Sequence, residues 1–96
     1  MRILIIEDDS GTAELMRECL ENADFEIDIV NSFEFADDFL NRITPDLMIV
    51  DYYMGAGLNA QEWLTKRKQN NLKQPVFIVS TGQGDERIAV NMMKLG

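Results

Sequence analysis

Histidine is absent from the 96 residues, and cysteine occurs once, as Cys19. No disulfide can close within the chain, and zinc sites or catalytic triads that need imidazole are excluded with it. A reducing cytoplasm is the expected setting. Bases are scarce as well: nine Lys and Arg stand against 17 Asp and Glu, a net charge of -8. Such a surface disfavours nucleic-acid backbones and anionic membranes as direct partners and favours cations and basic protein surfaces. Long apolar runs are also missing. Stretches such as residues 47–50 fall far short of the ~20 residues of a membrane span, and residues 1–6 are too short, with three acids behind them, for a signal peptide. The composition that remains, 46% apolar and 27% charged, is that of one ordinary globular domain with one core.

Short runs of β-type apolar residues alternate with segments of helical period, which predicts repeated βα units around a parallel sheet. Residues 3–6, 24–30, 46–50 and 76–79 read as strands. Residues 11–22 read as the first helix, with Met16, Leu20 and Ala23 facing the core and Leu15 and Cys19 widening that stripe. Asn31 and Glu34 have the spacing of a capping box, ahead of an apolar face made by Phe35, Ala36, Phe39, Leu40 and Ile43. Pro45 ends that helix and pushes Thr44 into extended geometry. Trp63 and Leu64 supply the apolar side of a third helix, whose basic end at residues 66–68 complements the helix dipole. A last helix starts at Asp85 or Glu86 and carries Ile88, Ala89, Met92, Met93 and Leu95.

Acids gather where two strands end. Glu7, Asp8 and Asp9 follow the first, and Asp51 follows the third, at the carboxyl ends where open α/β sheets bind ligands. Carboxylates brought together there repel and raise one another's pKa, a cost that points to a cation or to phosphoryl chemistry. Asp9 is the exception, placed to cap the first helix. Ser80 and Thr81 bring hydroxyls to the end of the fourth strand.

The motifs Ile-Leu-Ile-Ile-Glu-Asp-Asp at residues 3–9, Pro-Asp-Leu-Met-Ile-Val-Asp-Tyr-Tyr-Met at 45–54 and Thr-Gly-Gln-Gly-Asp-Glu at 81–86 resemble, in order, those of response regulator receiver domains. The resemblance covers essentially the whole chain. It implies a flavodoxin-like, doubly wound parallel sheet of order 2-1-3-4-5, of which residues 1–96 would hold four βα units of the usual five. It further implies that Asp51 accepts a phosphoryl group from a histidine kinase or phosphotransfer protein, without the turnover of a conventional enzyme. Glu7, Asp8, Asp51 and the main-chain carbonyl of Tyr53 would hold Mg2+, and Thr81, with Ser80 as the alternative, would contact the phosphoryl group beside the Gly82 backbone. Two departures stand out. Gly55 and Gly57 make the loop after Asp51 glycine-rich where the family has proline, and the fifth strand, with the family's lysine, has no counterpart. Lys94 falls on the last helix and cannot replace it.

Other readings fit less well. A haloacid-dehalogenase-type phosphatase wants a second Asp at position 53, which is Tyr. A flavodoxin proper wants a phosphate loop where Ser10, Gly11 and Thr12 follow three acids. The remaining alternative is an interaction module that keeps the receiver shape without phosphorylation, or an inactive fragment that self-associates through the exposed edge of the fourth strand.

Overall fold

The computed structural model describes residues 1–21, 24–55, 57 and 59–80. Within them β1 (Arg2–Ile6), β2 (Glu26–Val30), β3 (Leu47–Asp51) and β4 (Phe77–Ser80) form one parallel sheet in the order β2-β1-β3-β4. The helices α1 (Ser10–Glu21), α2 (Phe33–Arg42) and α3 (Ala60–Gln69) connect successive strands. This is the flavodoxin-like α/β arrangement that the sequence predicts.

Strand position explains strand composition. β1 is paired on both edges, and Ile3, Leu4, Ile5 and Ile6 are all but completely buried. Each contributes about 1.5–3 kcal/mol of transfer free energy, so β1 anchors the core. β2 lies at one edge, which accounts for Glu26 and Asp28 alternating with Ile27 and Ile29.

The chain moves from β1 to β2 in one direction and from β2 past β1 to β3 in the other. Right-handed crossovers then place α1 on one face of the sheet and α2 and α3 on the opposite face. Packing agrees: Leu4, Ile6, Met48 and Val50 meet Ala36 and Phe39 of α2 and Ala60, Trp63 and Leu64 of α3 in one buried cluster. The reversal occurs between β1 and β3, so a crevice opens between their carboxyl ends.

Helix starts were only partly legible. Asp9 caps α1 as expected, its Oδ2 accepting from the Thr12 backbone N–H at 2.8 Å and from the Thr12 hydroxyl. At α2 the capping residue is Ser32 rather than Asn31: Ser32 is extended and its Oγ accepts from the Phe35 N–H. The capping box occurs instead at α3, between Asn59 and Glu62.

Three core assignments are corrected. Cys19 and Leu15 are exposed, because the contact stripe of α1 runs through Ala13, Met16 and Leu20 and is narrower than the apolar residues on that helix. Phe35 is exposed as well, since a helix that starts at Phe33 turns Ala36 and Phe39 inward and leaves Phe35 outside. Residues 22, 23 and 81–96, including Ala23, the expected last helix, Thr81, Gly82 and Lys94, lie outside the described residues.

Candidate functional site

Parallel pairing sets the site. Ile6 pairs with Val50, so the residues that follow each strand, Glu7 and Asp8 after β1 and Asp51 at the end of β3, emerge side by side at the crevice. One carboxylate oxygen from each of Glu7, Asp8 and Asp51 lies within 4.8 Å of the others, a group that could hold a metal ion. Neighbouring ligand oxygens around a small octahedral cation are about 2.9 Å apart, so the trio would draw together on binding one.

The three acids differ in setting. Glu7 is buried; its N–H donates to the Val30 carbonyl at 3.0 Å, and its Oε1 accepts from the Asp9 N–H at 3.1 Å. Burial, with the neighbouring charges of Asp51 and Asp8, pushes its carboxyl up to about 7. Asp51 is half-buried, and burial raises its pKa above the ordinary value while the Tyr53 and Tyr52 N–H groups support its anion. Asp8 is the exposed member. A nearby positive charge would offset both the burial and the mutual repulsion of these acids, and the donor set, three hard oxygens, suits a hard divalent cation.

β4 borders the same crevice. Ser80 pairs with Asp51, and its carbonyl accepts from the Tyr52 N–H at 2.9 Å. This places the chain leading to Thr81 beside Asp51, although Thr81 and Gly82 are outside the described residues. Tyr53 stands two residues past the end of β3, with its ring half exposed and edge-on to Tyr52 at 4.8 Å between centroids. A groove of about 600 Å³ opens on the other side of Glu7 and Asp8, where Phe35, Phe39, Asp38 and Arg42 of α2 form one wall.

The family model described as the response regulator receiver domain matches residues 3–96. The chain belongs to this family. Solved receiver domains share its fold: that of the Francisella response regulator 1452 superposes with a TM-score of 0.84 at 18% identity, covering 99% of this chain and 77% of the other. A signal receiver domain of a signal transduction histidine kinase from Syntrophus aciditrophicus gives 0.79 at 28% identity, covering 99% and 72%. The Mn2+-bound form of response regulator Rcp1 gives 0.80 at 27% identity, covering 98% and 74%. The chain spans 72–79% of the length of solved structures of this kind, and 63% of a coiled-coil fusion chain that it also matches. No curated protein sequence matches it.

Sequence reasoning missed two features of this receiver domain. Arg67, read as part of a solvated basic helix end, is buried; its Nη1 donates to Asp37 Oδ1 at 2.6 Å and its Nε to Gln74 Oε1 at 3.0 Å. Its lone basic neighbours in the sequence, Lys66 and Lys68, hid that role; its place three to four residues after Trp63 and Leu64, on the buried side of the helix, was the available signal. The second is the approach of Gly55 to Asp8, treated below.

Proposed function

We propose that the domain takes a phosphoryl group from a histidine kinase or phosphotransfer protein onto Asp51, in a reaction that depends on Mg2+. The observation that carries the proposal is the meeting of Asp51 with Glu7 and Asp8 at the switch point of a receiver fold. A carboxylate oxygen of Asp51 attacks phosphorus, the phosphorus–nitrogen bond of the donor breaks, and the donor imidazole leaves with the electron pair. Since the chain has no histidine, the donor imidazole lies outside these 96 residues. Hydrolysis by water restores the carboxylate and releases phosphate, so the domain acts on itself without turning over a separate substrate.

Glu7, Asp8 and Asp51, with the Tyr53 carbonyl, would hold the cation. A bound Mg2+ neutralises charge on the transferring phosphoryl group and on the acids around it. Thr81 would donate its hydroxyl to the phosphoryl oxygens, and Gly82 its N–H. Two further expectations belong to this reading: the setting is the cytoplasm, and the described residues contain no helix long and apolar enough to cross a membrane.

A second reading, association of two copies without phosphorylation, has its own support. Among the described residues β4 pairs only with β3, and Val76 and Ile78 are exposed beside that edge. A solved relative at 23% identity is described as a beryllofluoride-activated receiver domain dimer.

The test is to incubate the chain and its Asp51→Asn variant with a small phosphodonor, with and without Mg2+, and to compare intact masses. The expected result is one phosphoryl adduct on the parent, only with Mg2+, and none on the variant. An equal adduct on both, or none on a folded parent that binds Mg2+, would remove the proposal and leave the interaction module.

A further inference from the structure

We propose that Gly55 is a positioning residue for Asp8, and that its lack of a side chain sets the fit of the acidic cluster to Mg2+. The inference rests on the metal-binding reading above. After β3 the chain returns to the carboxyl end of β1. A Cβ placed on Gly55 would stand 3.2 Å from Asp8 Oδ2, closer than such atoms ordinarily approach. Asp8 would have to give by a few tenths of an ångström. It is the exposed member of the trio and yields more readily than buried Glu7.

The backbone points to the same residue independently. Gly55 has a φ of 74°, in the left-handed region that glycine enters freely and proline, locked near -65°, cannot. The path of the loop past Asp8 therefore needs glycine twice, for its backbone and for its empty space. Gly57 supplies an internal control. Its φ is 115°, yet among the described residues nothing lies within 4 Å of the place its Cβ would take. A substitution would strain the backbone at either glycine, whereas of the two only Gly55 would bring a Cβ against a carboxylate.

Moving one ligand matters more for Mg2+ than for Ca2+. Mg2+ demands near-ideal octahedral geometry with short bonds, while Ca2+ accepts longer bonds and variable coordination. A displaced Asp8 should thus cost Mg2+ affinity and spare Ca2+, a change that general loss of stability does not produce. Substitutions just outside a metal's ligands commonly weaken binding by 10-fold or more, and about tenfold is expected here.

The experiment is calorimetric titration of the 96-residue parent, Gly55→Ala, Gly55→Asn and Gly57→Ala with MgCl2 and CaCl2. Asn tolerates a left-handed backbone but carries a Cβ, so it separates strain from contact. The expected result is a loss of about tenfold in Mg2+ affinity in both Gly55 variants, a smaller loss for Ca2+, and parental values for Gly57→Ala. If Gly55→Ala does not fold, Gly55→Asn carries the comparison. Parental Mg2+ affinity in a folded Gly55 variant overturns the inference while leaving the metal site standing, as does an equal loss in Gly57→Ala. A parent that binds neither ion overturns both.

Discussion

Glu7 controls the charge of the acidic cluster at neutral pH. Its carboxyl, raised to about 7 by burial and by Asp51 and Asp8, is charged in the unfolded chain from about pH 4.5 upward but only above 7 in the folded one. Between those values the native state binds the extra proton, so stability is fully present below pH 4.5 and is lost as pH rises through 7. The loss is at most about 3 kcal/mol, since one pKa unit corresponds to 1.36 kcal/mol. Thermal melts without divalent ions should show the parent losing stability between pH 5 and 8, and Glu7→Gln losing much less. An identical slope in the two proteins would contradict the assignment. Because a ligand must shed its proton, Mg2+ should raise the parent's melting temperature more at pH 8 than at pH 5.5. Glu7, Asp8 and Asp51 were legible as a site because acids directly after buried strands need a reason. Gly55 was not, because a glycine-rich loop announces freedom, while its approach to Asp8 exists only once β1 and β3 are paired.

At the scale of elements, α2 and α3 are joined by more than apolar contact. Asp37 Oδ1 accepts from Arg67 Nη1 at 2.6 Å and from the Trp63 indole N–H at 3.1 Å, while Trp63 stacks on Phe33 with centroids 4.7 Å apart. Past the helix end, Asn71 takes a φ of 57°, and the Leu72 N–H donates to the Arg67 carbonyl, closing α3 in a Schellman turn. Arg67 Nη2 also donates to the Lys73 carbonyl at 3.3 Å, so one residue holds the helix, the turn and the lead into β4. Asp37→Ala would leave a buried guanidinium without its carboxylate and an indole N–H without its acceptor, at about 2–4 kcal/mol. Urea unfolding followed by Trp63 fluorescence checks this, and a change under about 0.5 kcal/mol, the scale of an ordinary surface substitution, would contradict it. Element existence and order were readable because strand runs and helical stripes differ in period. The position of a cap was not: Asn31 and Ser32 both carry capping side chains, and the choice between them follows from where β2 ends.

For the whole molecule, the pleat divides the apolar residues between two faces. Leu4, Ile6, Met48 and Val50 meet α2 and α3, whereas Ile5, Ile49 and Ile78, adjacent by register, face the side of α1. Burial on that side falls from complete at Ile5 to partial at Ile49, and Ile78 is 55% exposed. If this face joins two copies, sedimentation should show mass above the monomer at high concentration, and Ile78→Asp should restore the monomer. A monomeric parent at every concentration would end that reading. Both face assignments follow from period-two alternation, but exposure depends on which helices lie above, and four strand segments alone do not say. The central claim concerns chemistry at one carboxylate, and borohydride tests it most directly, because it reduces an aspartyl phosphate to homoserine. The domain, treated with a phosphodonor and Mg2+, then reduced and digested, should yield homoserine at position 51 and nowhere else, and none when the cation is chelated. Homoserine at position 8 or 9, or labelling of residue 51 without a divalent ion, would contradict the account.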